Sequence, residues 1–446
     1  PKLLLNGKEV FLRGIARHEA FYGEPGPGEF GPPRIIEDFR FIKEANANFV
    51  RTAHYPNGQQ TYSIADRMGL LVWEEIPVFW FGGPEFMIQK NVRGIARQMW
   101  LEMIYRDYNR PSVIIWGTCN ECSWQKERAE FIKDLKDNAQ QVDGTRLVAQ
   151  SASGSDPTDP TQKECDIIGF TTYYGIFYGS SYYSDTKEAL EKTRKAFPGK
   201  PVISTEYGIW SAYGDTPQEK VQIEVAKDTF AAFTELPYVT GAAWWTIADW
   251  HTMINESQHM GLLTIDRKLQ KPVYFQIQRQ YATLLGDLSV VLKDPKDEQT
   301  VKGKLKVSAE ITGKEKPEFV DLIVEGKQLG RLSQKKGVYQ MEFDTAKVED
   351  GMRTLIIRAK SRKGYFVSDF VRVNVDNTDE PPVINITMKD GDLVMGKVLL
   401  NVSASDDRAD PVVTYSVDGA EPVKMPSGVE GSYQAEWDVS ALADGS

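Results

Sequence analysis

The stretch Asp107–Glu121, DYNRPSVIIWGTCNE, decides how the chain folds. A helical segment ends at an Asn109-Arg110-Pro111 turn, because the residue before a proline is pushed out of the helical region. The run Val113-Ile114-Ile115-Trp116 is apolar on both faces, as a strand buried in a parallel sheet must be. Gly117-Thr118-Cys119 then leads into Asn120-Glu121, so an amide and a carboxylate stand together at a buried strand's carboxyl end, where α/β barrels place their chemistry.

A partner for Glu121 lies further on. After the turn Pro198-Gly199-Lys200, the short apolar strand Pro201–Thr205 delivers Glu206-Tyr207-Gly208. Two strand-end carboxylates facing each other across one hollow are the arrangement glycoside hydrolysis requires, one protonating the leaving oxygen and the other attacking or activating water.

Working outward, strand and helix alternate along the chain. Strands are expected at Val10–Ile15, Phe49–Ala53, Leu70–Glu74, Val113–Thr118, Leu147–Gln150, Ile167–Thr171, Val202–Ser204 and Gly241–Thr246, and amphipathic helices at Arg34–Ala45, Gln59–Met68, Ile88–Tyr108, Glu127–Asp143, Thr186–Phe197 and Pro217–Leu236. Eight such repeats imply a closed (β/α)8 TIM barrel over residues 1–286, although the loop-like Ser151–Cys165 leaves one helix short or missing. Past Gly286, short alternating strands at Lys304–Glu310, Phe319–Glu325, Thr354–Ala359 and Val367–Val375 predict an immunoglobulin-like β-sandwich over 287–376. A second sandwich is expected over 377–446, after the linker Asn377–Pro382, with strands at Val383–Thr387, Lys397–Ser405, Val412–Val417 and Tyr433–Val439. Its tail, Ala441–Ser446, matches Val348–Met352 just before the last strands of the first sandwich, so the module is expected to be truncated two strands short.

A 446-residue chain with 41% hydrophobic residues has ample material for packed cores. Its net charge of −10 and lack of a basic run argue against a nucleic-acid partner. Eighteen consecutive apolar residues occur nowhere, so no membrane span is expected. Of three cysteines, Cys119 and Cys122 form a C-x-x-C without the second pair or spaced histidines a zinc site needs, so they are expected to pack. Pro1–Lys8 reads as strand and turn rather than a signal peptide, which suggests a chain cut from a longer one.

The strand ends converge on one rim. The first gives His18 and Glu19, the second Arg51 and His54, the third Glu74 and Glu75, the fourth Asn120 and Glu121, the sixth Tyr173 and Tyr174, the seventh Glu206, and the eighth Trp244, Trp245 and Asp249. Two of the four histidines, His18 and His54, thus become candidate sugar contacts.

The blocks Asn48–Pro56, Asn109–Glu121 and Ser204–Gly208 resemble the signatures of glycoside hydrolase family 2, which holds β-galactosidases, β-glucuronidases and β-mannosidases. The resemblance covers residues 1 to about 285 and implies a retaining exo-glycosidase, with Glu121 as acid/base and Glu206 as nucleophile. Jelly-roll and immunoglobulin-like domains upstream of Pro1 would follow from it. Arg51 and the Tyr173 hydroxyl would keep Glu206 ionised, and a less polar setting beside Trp116, together with the Glu206 charge, would keep Glu121 protonated. Asn120 would donate to the sugar 2-hydroxyl and Trp245 would floor the subsite.

For the substrate, the Asn-x-Lys motif with which β-glucuronidases grip the sugar carboxylate is replaced by Glu256-Ser257-Gln258-His259-Met260-Gly261. That disfavours a uronate unless Arg17, His251 or His259 substitutes, so a β-galactoside is the expected substrate and a β-uronide the alternative. Pro77 stands where large β-galactosidases keep a magnesium-binding histidine, so neither a catalytic metal nor another cofactor is expected. A glycoside is the expected partner, in a secreted, periplasmic or cell-surface setting. The reading of another class is a non-catalytic carbohydrate-binding or adhesion protein with a relic barrel, its sandwiches serving as a stalk.

Overall fold

The computed structural model describes residues 1–19, 31–252, 257–378, 381–406, 410–429 and 431–442. Glu256, the linker residues Asp379 and Glu380, and the tail from Ala443 lie outside the described residues.

Eight parallel strands form the sheet expected from the sequence: β1 (Leu12–Arg17), β2 (Phe49–Thr52), β3 (Leu71–Glu75), β4 (Val113–Asn120), β5 (Leu147–Ser151), β6 (Ile168–Thr171), β7 (Val202–Tyr207) and β8 (Val239–Trp244). Their order, β5-β4-β3-β2-β1-β8-β7-β6, wraps the sheet round, and a parallel bridge between Ala152 and Phe170 joins the two ends of the TIM barrel. Leu12, Phe49, Trp73, Ile115, Ala149, Ile203 and Ala243, with Ile167 at the entry to β6, fill the lumen. The opposite strand faces pack against helices α1 (Pro32–Glu44), α2 (Gln59–Met68), α3 (Gly83–Asn91), α4 (Ile95–Asp107), α5 (Gln125–Val142), α6 (Ser184–Ala196), α7 (Thr216–Glu235) and α8 (Pro272–Thr283).

Several elements differ from expectation. The long helix expected over Ile88–Tyr108 is two helices, α3 and α4, broken at Val92-Arg93-Gly94. Val92 is exposed, so the apolar stripe lapses there, and Gly94 caps the second helix while the Gln89 side chain accepts from the Ala96 amide. β1 begins later than Val10 because the Asn6-Gly7 turn, with φ of 52° and 75°, folds Leu4–Leu5 onto Lys8–Glu9 as a hairpin. The gap before β6 holds only a 3-10 turn, Pro160–Glu164, whose first amides are capped by Asp159. Helix α8 went unforeseen because it is buried nearly all round and shows no clean polar stripe, Phe275 meeting Phe370 of the first sandwich at 5.2 Å.

The chain divides into two compact units. One comprises Pro1–Gln299, Lys304–Phe343 and Met352–Val373, the other Thr300–Gly303, Asp344–Gly351 and Asn374–Ser446. Within the first, antiparallel strands follow the barrel; Pro317–Val324 pairs with Lys327–Arg331 on one side and with Gly351–Ser361 on the other. They are fixed to the barrel by Asn46, whose Nδ2 donates to the Phe366 carbonyl at 2.7 Å, and by the Arg372–Glu219 ion pair at 2.6 Å. In the second unit the sheet runs Val383–Ile386, Lys397–Ser405, Ser432–Asp438 over a small core of Val402, Ala404, Val413, Met425 and Tyr433. The strand expected at Val412–Val417 is only Thr414–Tyr415.

Candidate active site

Arg51, fully buried at the end of β2, organises the carboxyl rim of the barrel. Its Nη1 donates to Glu206 Oε1 at 2.6 Å, its Nε and Nη2 fork onto Glu75 at 3.0 and 2.9 Å, and Nη2 also donates to Asn120 Oδ1 at 2.8 Å. One guanidinium thus ties together strands β2, β3, β4 and β7, which only its planar array of donors can do. Its own pKa is raised: burial opposes the charge, but Glu75 and Glu206 outweigh it.

Glu75 is held in turn. Burial pushes its pKa up, yet Arg51 and His54 outweigh that and hold it low. The Trp73 indole N–H donates to Oε2 at 2.7 Å, and His54 Nδ1 lies 2.8 Å from Oε1. Because Nδ1 faces that carboxylate, His54 turns Nε2 toward Glu206 Oε1, 3.9 Å away. The His54 ring stacks on Trp245 at 4.9 Å, and His18 packs edge-on against both His54 and Trp245. Burial, then the charges of His54, Arg51 and Arg17, hold His18 well below the ordinary imidazole pKa, so it is a neutral donor or acceptor here.

Glu206 is the penultimate residue of β7, 4% exposed, and its second oxygen accepts from the Tyr173 hydroxyl at 2.8 Å. The phenol's pKa lies far above its usual value because burial, then the Glu206 and Glu121 charges, disfavour a phenolate, so Tyr173 stays a donor.

Glu121 follows β4 with φ at +46°, a conformation costly for a residue with a side chain. Its amide donates to the Ser151 carbonyl at 2.7 Å, which fixes the turn. Thr171 Oγ1 donates to its Oε1 at 2.9 Å, and the Trp80 indole to Oε2 at 3.2 Å. Its pKa is raised by burial first and by the Glu206 charge second, against those two hydrogen bonds. The rim therefore pairs a carboxylate gripped by a guanidinium with a carboxyl group that holds its proton longer than usual, the division of labour acid–base chemistry at a glycosidic bond needs.

All eight residues singled out from the sequence, Glu121, Glu206, Asn120, Arg51, His54, His18, Tyr173 and Trp245, come to this rim. Trp116 does not: its indole points out of the barrel and donates to Asp143 at 3.0 Å, and the indole beside Glu121 belongs to Trp80. Arg17 is engaged by Asp38 and Asn57, and Asp249 by the buried Lys271 at 2.6 Å, with His259 Nδ1 3.1 Å from its other oxygen. Thr171, Trp80 and the bridging role of Glu75 were not foreseen. The aromatic run Phe79-Trp80-Phe81 in the loop after β3 is the signal the sequence offers. Among the described residues, no group of three or more His, Cys, Asp or Glu side chains could hold a metal ion, and no helix is long and apolar enough to cross a membrane.

A parallel eight-stranded barrel with two carboxyl groups over its carboxyl end is a TIM barrel with an acid pair where such barrels carry their sites. Residues 1–285 match the glycosyl hydrolases family 2 TIM barrel domain, and the chain belongs to that family. It is 29% identical over 297 residues to the β-glucuronidase of Bacteroides fragilis, covering 61% of this chain and 41% of that protein. Among solved structures, the β-glucuronidase of Faecalibacterium prausnitzii is 30% identical with a TM-score of 0.57, covering 64% of this chain and 50% of that one. A β-galacturonidase of Eisenbergiella tayi shares the fold at 23% identity and a TM-score of 0.56, covering 63% of this chain and 52% of that one. The chain thus spans about half the length of these relatives, or less.

Proposed function

We propose that the protein is a retaining exo-β-glycosidase. The observation that carries this reading is the opposed setting of Glu206, gripped by Arg51 and Tyr173, and Glu121, whose proton is held by burial and by the Glu206 charge. In the first step Glu206 attacks the anomeric carbon of a terminal β-linked sugar while Glu121 gives its proton to the departing glycosidic oxygen. Forming the ester removes the negative charge of Glu206 and with it one reason for Glu121 to stay protonated. Glu121 then takes a proton from water as the hydroxide adds to the anomeric carbon, and Glu206 leaves as carboxylate. Asn120, with its oxygen turned to Arg51, offers its Nδ2 hydrogens to the sugar 2-hydroxyl.

For the sugar itself, the favoured reading is a neutral hexoside such as a β-galactoside. The strongly basic side chains described at this end, Arg17, Arg51 and Lys271, already carry carboxylate partners, so among the described residues histidines are the basic groups left for a sugar carboxylate. A β-uronide is the second reading, supported by the names of the relatives from Bacteroides fragilis and Faecalibacterium prausnitzii; His259, 44% exposed, would then be its contact. The test is hydrolysis of aryl β-galactoside, β-glucuronide, β-galacturonide, β-glucoside and β-mannoside by the full-length protein. Preference for a neutral sugar is expected; faster cleavage of a uronide replaces the first reading by the second, and cleavage of none leaves a binding protein.

A further inference from the structure

The loop leaving β3 carries Phe79-Trp80-Phe81-Gly82-Gly83. Phe79 and Trp80 are 42% and 72% exposed, yet their backbone is pinned to the turn that bears Glu121. The Trp80 amide donates to the Asn120 carbonyl at 3.0 Å, the Asn120 amide to the Val78 carbonyl at 2.8 Å, and the Ser123 amide to the Phe81 carbonyl at 2.9 Å. Trp80 itself has φ of +57°, unfavourable for a bulky side chain. The Trp124 ring closes over the loop: a Cβ added at Gly83 would lie 2.6 Å from it, so only glycine admits this packing. The backbone that carries this exposed indole is therefore pinned beside the Glu121 carboxyl, and one 3.2 Å hydrogen bond joins the side chain to it.

Glu121 protonates the oxygen of the departing group, so that group lies beside Trp80. The Phe79 and Trp80 rings meet edge-to-face at 6.1 Å, and Phe177, 60% exposed, packs between Tyr173 and Trp210 at 5.2 and 5.7 Å. From Phe79 to Gly83 the only side-chain polar group is the Trp80 indole N–H. A sugar in this position would need several donors and acceptors, whereas a flat ring needs only faces to stack on.

We propose that Phe79 and Trp80 form a leaving-group platform for a planar aromatic aglycone, and that Trp80, by its bond to Glu121, couples occupancy of that platform to the acid. The proposal rests on the glycosidase reading above. An indole N–H bonded to Oε2 favours the ionised carboxyl; a ring that draws the indole onto its own face withdraws that bond and leaves Glu121 protonated, the form the first step consumes. Trp80 is thus a positioning and specificity residue.

The test compares wild type, Trp80→Phe and Trp80→Ala of the full-length protein on the 4-nitrophenyl β-glycoside and the glycosyl fluoride of the same sugar, fluoride offering no ring to stack. Trp80→Ala is expected to raise the KM of the aryl substrate relative to the fluoride by about three- to tenfold, the worth of one aromatic contact. Trp80→Phe keeps a ring but loses the donor, so it raises that ratio less and moves the alkaline limb of kcat/KM to higher pH. Equal changes on both substrates, or an unmoved limb in Trp80→Phe, overturn the platform or the coupling respectively. Wild type that turns over neither substrate overturns the glycosidase reading itself and the proposal with it.

Discussion

Arg51→Lys tests the organising role of the guanidinium. Arg51 makes five hydrogen bonds, to Glu75 twice, Glu206, Asn120 and the Thr205 carbonyl, with no exposure to solvent. A lysine keeps the charge but concentrates three hydrogens on one nitrogen, so it cannot fork onto Glu75 while also holding Glu206. One buried carboxylate then loses its cation. A lost charge-assisted bond costs about 1.5–3 kcal/mol and an uncompensated buried charge about 3–5 kcal/mol. At 1.4 kcal/mol per decade, kcat/KM should fall by about a hundred- to a thousandfold. Steady-state kinetics on an aryl β-glycoside, with thermal unfolding as the control for folding, read the effect. Activity within about threefold of wild type would refute the idea that Arg51 binds the two carboxylates into one unit.

Glu206→Gln should abolish turnover, whereas Glu121→Ala should still cleave substrates with activated leaving groups and be rescued by azide; equal loss in both toward such substrates would exchange or erase the assigned roles. Gly117→Ala should destabilise by about 1–3 kcal/mol, since the new Cβ would lie 2.2 Å from the Trp73 indole nitrogen and 2.6 Å from Glu75 Cβ; an unchanged melting temperature would show that the Trp73–Glu75 contact yields freely. Glu74, on the outer face of β3 and paired with Arg106 at 2.9 Å, has a pKa raised well above the usual carboxylate by burial and then by Asp107. Its folded form binds the proton more tightly than its unfolded form, so its contribution to stability is full below the unfolded pKa and is lost as pH rises through the folded one. Glu74→Gln, fixed in the neutral form, should flatten that part of the dependence of melting temperature on pH; identical profiles for the two proteins would contradict it.

The barrel was legible because its strands announce themselves in isolation: Val113–Trp116 is apolar on both faces and cannot be a surface element. Glu121 and Glu206 were legible for the same reason, each standing at the carboxyl end of such a run. What stayed hidden depends on contacts distant in sequence. Glu74 and Glu75 are adjacent and identical in type, yet one points out to Arg106 and the other in to Arg51; which is which follows from strand register, and a shift of one residue would exchange them. Trp116 was placed beside Glu121 by proximity along the chain, but the alternation of β4 sends it outward, and the indole that meets Glu121 comes from the loop after β3. The burial of α8 was likewise set by what covers it, Phe370 of the first sandwich among others, which its own residues do not encode.

Retention depends on covalent catalysis by Glu206. Incubation of the full-length protein with a 2-deoxy-2-fluoro β-glycoside bearing a good leaving group slows the second step and traps the intermediate. Peptide mapping by mass spectrometry should then find the fluorosugar on Glu206, with none on Glu206→Gln. Continued turnover without a trapped adduct, or a label on Glu121 in place of Glu206, would contradict it.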